Sequence, residues 1–167
     1  TMKTRYLIIT LLCIVFTQSG FAQNSSKLFE KYADMDNVTS VYISKAMFKM
    51  MPTMQTAGLN LMNMKGKVES LQVLTTERKD LTIKMRNEFA QLVTKQHEEL
   101  MRVRDGKTKA TFYAIMHGDL VKDMVMLADT EEGFTVIQLL GNFTLQDIQE
   151  ITKDMDTISK HLCTFAV

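Results

Sequence analysis

The sequence has little cysteine and almost no proline, and both scarcities limit the possible folds. Two cysteines occur among 167 residues, and Cys13 lies in an apolar segment that we expect to be removed. Cys163 would then be the single remaining cysteine, which excludes an internal disulfide and leaves stability to a hydrophobic core. The one proline, Pro52, predicts the frayed last turn of a helix, because proline removes an interior backbone donor.

The sequence also lacks an excess of one charge and lacks familiar catalytic motifs. The formal net charge is +1 and the charges are interspersed, so we expect neither nucleic-acid binding nor attraction to an anionic membrane. No phosphate-binding loop, nucleophile elbow or dinucleotide fingerprint occurs. The three histidines, His97, His117 and His161, do not have zinc-ligand spacing. We therefore predict no catalytic residues, no metal site and no cofactor.

The N-terminal segment indicates export. A short basic start precedes the largely apolar run 7–16, which is shorter than the roughly 20 residues that a membrane-spanning helix needs. Gly20 and Ala22 then place small residues at the spacing that signal peptidase requires. We predict residues 1–22 as a signal peptide and a location in the periplasm or cell envelope. No later apolar stretch is long enough to span a bilayer, so we expect no membrane span in the mature chain.

Residues 23–167 predict a single α+β domain. The order β-α-β-α-β-β-β-β-α, after a short leading helix, indicates a mainly antiparallel sheet of about six strands with helices packed on one face. Apolar residues recur every three or four positions in the clearest helix, and Asp105-Gly106 between alternating segments is a strong hairpin signal. The predicted strands are 38–43, 68–75, 99–104, 107–117, 120–128 and 134–140. The predicted helices are 27–33, 45–54, 78–96 and 145–162.

Several predicted strands are apolar on both faces, so the sequence leaves open which face the helices cover. Such strands are typical of sheets that are buried on both sides. A homodimer partner is one way to bury the second face.

Three local signals concern the ends of elements. His97 falls at the end of the helix 78–96, where the helix dipole favours a histidine. Gly141-Asn142 is expected to end the last strand. Thr144 is then expected to cap the final helix, with Asp147 in its first turn.

Methionine is the compositional outlier, at 14 residues. Met47, Met50, Met51 and Met54 fall on one face of the predicted helix 45–54. Packing of this face against the sheet is the favoured interpretation, because methionine fills irregular gaps in a core. Two alternatives stay open: a groove for an apolar ligand or partner, and a Cu(I) site, since soft thioethers suit a soft ion.

Two arginines form the other candidate site. Arg102 and Arg104 alternate with apolar residues on a predicted strand, and with two lysines across the hairpin they form a modest basic stripe. Such a stripe could bind an anionic glycan or a lipid head group, although solubility and protection of a sheet edge explain it as well. The candidate ligand-binding residues are therefore Met47, Met50, Met51, Met54, Arg102 and Arg104.

Two regions carry a resemblance to a known family. The run from Phe29 to Met47, and Gly141 to Thr144 leading into the final helix, resemble a bacterial family catalogued as domain of unknown function 4252. The resemblance covers the whole mature chain and lies in its overall pattern, without a catalytic motif. It implies a small exported protein of about this size and brings no functional residues with it.

The combined expectation is an exported cell-envelope protein that acts as a non-enzymatic binding or interaction module. Its partner would be an unknown envelope protein or an apolar ligand. One alternative is a small periplasmic hydrolase, which requires at least two titratable side chains that converge in a cleft. The other alternative is a methionine-rich Cu(I)-binding protein, which requires accessible methionine sulfurs close to one another.

Overall fold

The computed structural model describes residues 22–50, 55–56, 59–60 and 66–152. The helices are α1 (Ala22–Ala33), α2 (Lys45–Met50), α3 (Lys79–Gln96) and α4 (Leu145–Thr152). The strands are β1 (Thr39–Ser44), β2 (Gln55–Thr56), β3 (Leu59–Asn60), β4 (Val68–Thr76), β5 (Glu98–Asp105), β6 (Thr108–His117), β7 (Leu120–Asp129) and β8 (Phe134–Thr144).

Six of these strands form one antiparallel sheet in the order β1-β4-β8-β7-β6-β5. The chain from β5 to β8 is a meander, and Gly106 and Gly118 adopt positive φ in its first two hairpins, a conformation that glycine adopts without steric cost. The predicted α+β fold with an antiparallel sheet of about six strands is confirmed. Within the sheet, β1 and β5 are the two outer strands.

The sheet is buried on both faces because its strands carry apolar residues at successive positions. The two long helices, α1 and α3, share one face, but the prediction that all helices pack on one face is wrong for α2 and α4. The short helices α2 and α4 contribute to the opposite core through Phe48 and Ile148. The core under α1 and α3 contains Phe29, Tyr32, Leu74, Met85, Phe89, Val93, Val125, Leu127, Phe134 and Val136.

Strand β8 extends to Thr144, whereas the sequence predicted its end before Gly141. Phe143 pairs with Val121 on β7 and is fully buried, so the strand continues beyond the glycine. The Asn142 N–H donates to the Lys67 carbonyl at 2.8 Å, and a Cβ at Gly141 would lie 2.1 Å from that same oxygen. The glycine therefore permits close contact with a neighbouring backbone instead of ending the strand.

The ends of the helices agree with the predictions in part. Helix α1 begins at Ala22, before the predicted start at Lys27. Helix α2 is described as far as Met50. Residues 51–54 of the predicted helix lie outside the described residues, as do residues 153–162 of the last predicted helix. The Asp147 N–H donates to Thr144 Oγ1 at 3.2 Å, and the Thr144 N–H donates to Asp147 Oδ2 at 2.8 Å. The predicted cap of α4 is thus confirmed as a reciprocal capping box.

None of the described helices combines the length and the apolar composition that crossing a membrane requires.

Candidate functional site

The two described methionines of the candidate site are exposed. Met47 and Met50 keep 42% and 77% of their surface accessible, whereas Phe48 between them is 4% exposed. Helix α2 is described over Lys45–Met50, and within this range Phe48 is the buried residue. The core-packing interpretation is therefore wrong for Met47 and Met50. Met51 and Met54 lie outside the described residues.

These methionines follow directly on an outer strand that is uncharged and largely exposed. Val41 and Tyr42 on β1 are exposed, and the Tyr42 side chain is 62% accessible. We call Val41, Tyr42, Met47 and Met50 the β1–α2 surface. The segment 38–44 contains no charged residue and no proline, and the pairing of β1 with β4 has no bulge. Outer strands normally carry charged residues, proline or bulges, because these features discourage pairing with another chain.

The candidate arginines lie on the opposite outer strand. Arg102 and Arg104 on β5 are exposed, and the Arg102 guanidinium binds the Glu99 carboxylate at 2.6 Å. Burial and the negative charge of Glu99 raise the pKa of Tyr113 on β6, while Arg102 opposes that shift. Because β1 and β5 end the sheet on different sides, the structure does not bring the methionines and the arginines into one site.

The structure assembles a buried polar cluster that the sequence did not predict. His97 Nε2 lies 3.2 Å from Asp123 Oδ2, and Gln138 Nε2 donates to both carboxylate oxygens of Asp123, at 3.1 and 3.0 Å. The three residues come from the end of α3, from β7 and from β8. The expected position of His97 at the helix end is confirmed, since its backbone N–H donates to Val93 at 2.8 Å. Only the topology reveals the contact, because the partners are distant in sequence.

Burial of the His97 side chain limits the access of a substrate to this cluster. The His97 side chain is 1% exposed, and the cluster contains no hydroxyl or thiol that the imidazole could activate. Among the described residues, no group of three or more His, Cys, Asp and Glu side chains is arranged to hold a metal ion. The cluster is better suited to hold the junction between α3 and β5 than to act on a substrate.

A surface cleft of about 570 Å³ lies at the opposite end of α3. Glu77 and Arg78 are its two charged residues, and the Arg78 guanidinium is engaged by Asp80 at 2.9 and 2.6 Å. The cleft is lined by Asn37, Val38, Thr39, Thr75, Thr76, Glu77 and Arg78. These described lining residues offer hydroxyls but no His, Cys or Lys for acid–base or nucleophilic chemistry.

Comparison with protein families shows which family the chain belongs to. A family model matches residues 32–151, a range that contains all six strands of the main sheet. The chain belongs to this family. Its description is Domain of unknown function (DUF4252), in agreement with the resemblance of the sequence. No curated protein and no solved structure matches the chain significantly.

The DUF4252 domain thus presents two accessible sheet edges that differ in charge. The β1 edge is uncharged and is followed by exposed methionines, while the β5 edge is charged and contains both candidate arginines. The family description assigns no activity, and these two edges are the accessible features of the sheet at which a partner could bind.

Proposed function

We propose that this DUF4252 protein is an exported cell-envelope protein that binds a partner protein through the β1–α2 surface, without catalysing a reaction. One observation carries the proposal: the outer strand β1 is uncharged and exposed, and exposed methionines continue it. An extended apolar segment of the partner would add to the sheet as a further strand beside β1. In this mode backbone hydrogen bonds supply affinity and side-chain contacts supply specificity.

The side chains of the β1–α2 surface suit such a partner. Tyr42 is the kind of residue that dominates binding energy, because it combines a large apolar ring with a hydroxyl. Met47 and Met50 adapt their shape to different apolar groups. Burying one such side chain contributes about 1.5–3 kcal/mol, so three or four of them would supply a useful part of the binding free energy after the entropic costs are met.

Export rests on the N-terminal sequence. Residues 1–22 have the basic start, the short apolar run and the small residues of a signal peptide. The remaining chain would then meet partners in the periplasm or at the envelope.

The hydrolase alternative has less support. It requires titratable side chains that converge where a substrate can reach them. The described pair that comes nearest to this arrangement is His97 with Asp123, and its imidazole is buried.

Site-specific photo-crosslinking in the native envelope tests the proposal. Tyr42 or Met50 is replaced by the photoreactive residue p-benzoylphenylalanine, and the crosslinked products are identified by mass spectrometry. Ile83 on α3 is the matched control, because it is also a large apolar residue and is 57% exposed. We expect one defined partner at positions 42 and 50 and none at position 83.

A substitution that introduces a charge on the β1–α2 surface provides the second part of this experiment. Tyr42→Lys places a cation on the outer strand and should reduce capture of the partner by Met50 crosslinking at least tenfold. Ile83→Lys introduces the same charge on α3 and should leave the capture unchanged. Equal crosslinking at positions 42, 50 and 83, or none at all, would contradict the proposed binding surface.

Cu(I) binding is the second candidate function, because two exposed methionines, Met47 and Met50, lie on helix α2. Met47 and Met50 are three positions apart, which places them on adjacent sites of a helical face. Thioether sulfur is a suitable ligand for Cu(I). Competition with a chromophoric Cu(I) chelator tests this candidate: the double variant Met47→Leu/Met50→Leu should lose affinity, and Met101→Leu on β5 should not. Failure of the wild-type protein to compete would eliminate it.

A further inference from the structure

The second outer strand, β5, carries a charge pattern that is complementary to itself. Its sequence has glutamates at the first two positions, arginines at the fifth and seventh, and an aspartate at the eighth. All of its residues except Leu100 are exposed. When such a strand meets an identical antiparallel strand, its acidic end lies beside the basic end of the other copy.

The pairing with β6 defines which side chains share a face. Glu99, Arg102 and Arg104 pair with Tyr113, Thr111 and Lys109 and therefore project to the α1 and α3 side of the sheet. Met101 and Val103 pair with Phe112 and Ala110 and project to the other side. The bulge between Glu99 and Met101 keeps Glu99 on the same face as the two arginines despite their odd separations in sequence.

We propose that β5 pairs with β5 of a second copy of this chain, antiparallel, around a two-fold axis at Arg102. Met101 of each copy then lies opposite Val103 of the other, so these exposed apolar side chains cover one another. Because Leu100 is the extra residue of the bulge, Arg104 of each copy lies beside Glu99 of the other and forms an opposite-charge pair, whereas Asp105 of each copy lies beside Glu98 of the other. The two sheets join into one continuous sheet, with a β1–α2 surface at each far end.

The number of arginine–arginine contacts favours this register over one centred on Val103. A two-fold axis at Val103 would place Arg102 opposite Arg104 twice and Met101 opposite Asp105 twice, and like charges directly opposite one another destabilise a sheet. The axis at Arg102 creates one arginine–arginine contact, and each of these guanidiniums already binds Glu99 of its own chain at 2.6 Å. Among the described residues Arg104 forms no ion pair, so its charge is available for the second copy.

This interface uses neither β1 nor α2, so it is independent of the proposed function. Strand β1 has no charge that would select a register between two copies. The segment of β5 from Glu99 to Arg104, in contrast, contains both signs and selects one.

Sedimentation equilibrium of the purified protein tests the association. We expect a dimer whose dissociation constant rises at least tenfold in Arg104→Glu, because the introduced carboxylate would then face Glu99 of the other copy. The double variant Glu99→Lys/Arg104→Glu restores opposite charges and should recover most of the affinity. A monomeric wild type, or a dimer that Arg104→Glu leaves unchanged, would overturn the proposal. Circular dichroism of each variant confirms that the fold is retained.

Disulfide trapping tests the register itself. In a Cys13→Ser/Cys163→Ser background, Arg102→Cys should link two copies under mild oxidation, because residues directly opposite in an antiparallel pair have Cα separations that a disulfide tolerates. Val103→Cys and Arg104→Cys should link poorly, since neither lies opposite itself. Preferential linkage through Val103→Cys, or no preference among the three variants, would overturn the axis at Arg102.

Discussion

At the scale of single residues, the most consequential contacts are polar ones inside the sheet. Gln138 is buried and donates two hydrogen bonds to Asp123. Gln138→Leu would remove both donors and leave a largely buried carboxylate beside His97 without its amide partner. We expect the free energy of unfolding to fall by about 1–3 kcal/mol, the cost of an unsatisfied buried polar group.

Urea denaturation of Gln138→Leu and of a matched variant checks this prediction. Gln72 lies directly opposite Gln138 on β4 and is less buried, so Gln72→Leu makes the same change outside the cluster. An equal loss of stability in both variants would show that the hydrogen bonds to Asp123 are not the cause.

Asp147 provides a second residue-scale prediction, for pH. Burial alone raises the pKa of Asp147, but hydrogen bonds from Lys67 and Thr144 outweigh it and the net pKa is lowered. A lowered pKa in the folded state stabilises the fold above the unfolded-state pKa of about 3.9, and the contribution disappears as the pH falls through the folded-state pKa. The stability difference between wild type and Asp147→Asn should therefore be present at neutral pH and shrink below about pH 4.

Urea titrations at several pH values measure this difference. Asp119 is exposed in the hairpin between β6 and β7, and Asp119→Asn serves as the control for a general effect of charge. A difference between wild type and Asp147→Asn that is constant from neutral to acidic pH would contradict the assigned role of the Lys67–Asp147 pair.

At the scale of elements, strand β8 depends on one glycine. Gly141 lies in contact with the Lys67 backbone, and an added Cβ would lie 2.1 Å from the Lys67 oxygen. Gly141→Ala must therefore shift one of two paired strands, and we expect a loss of at least about 2 kcal/mol. Gly118→Ala is the comparison: its φ is +61°, but a Cβ would meet no atom within 4 Å, so the cost should be about 1 kcal/mol.

Thermal and chemical denaturation of the two alanine variants compare these costs. Equal destabilisation would mean that backbone conformation alone matters at both glycines. Greater destabilisation by Gly118→Ala would contradict the close approach of β8 to Lys67.

Local periodicity predicted the elements well, and non-local contacts account for the errors. Alternating residues and Asp105-Gly106 predicted the meander, because strand and hairpin signals lie within a few residues of one another. The predicted end of β8 was wrong because Gly141 resembles a strand-ending glycine in the sequence. The contact with the Lys67 backbone, which explains the glycine, is visible only in the structure. The predicted burial was wrong for Met47 and Met50 because Phe48 is the residue that the described part of α2 turns toward the core.

The candidate sites were less predictable than the fold. The sequence identified Met47, Met50, Arg102 and Arg104 as residue types suited to binding, and all four are exposed. It could not separate them, because their assignment to opposite edges depends on the insertion of β4 between β1 and β8. The contact of His97 with Asp123 was missed for the same reason.

At the scale of the whole molecule, the two outer strands of the sheet differ in charge. The charged β5 edge suits a second copy of the chain, and the uncharged β1 edge suits an extended apolar partner. If the Glu99–Arg104 pairs hold the dimer, added salt should weaken it, because exposed ion pairs are screened. Raising the ionic strength from about 0.01 M to about 1 M shortens the screening length roughly tenfold and should raise the dissociation constant of the wild type.

A neutral variant is the control for that salt effect. Glu99→Gln/Arg104→Gln removes the proposed intermolecular pairs, and its weaker association should respond little to salt. Equal salt dependence in the wild type and the neutral variant would assign the effect to other charges.

We propose that strand β1 receives a partner strand in the envelope. Hydrogen–deuterium exchange of the backbone amides tests it most directly, with the protein in isolated native envelopes compared with the purified chain. We predict slower exchange in the envelope at Thr39–Ser44, where new backbone hydrogen bonds form, and unchanged exchange in the control helix Lys79–Gln96. Identical exchange of Thr39–Ser44 in both samples, or protection of the control helix alone, would contradict the claim.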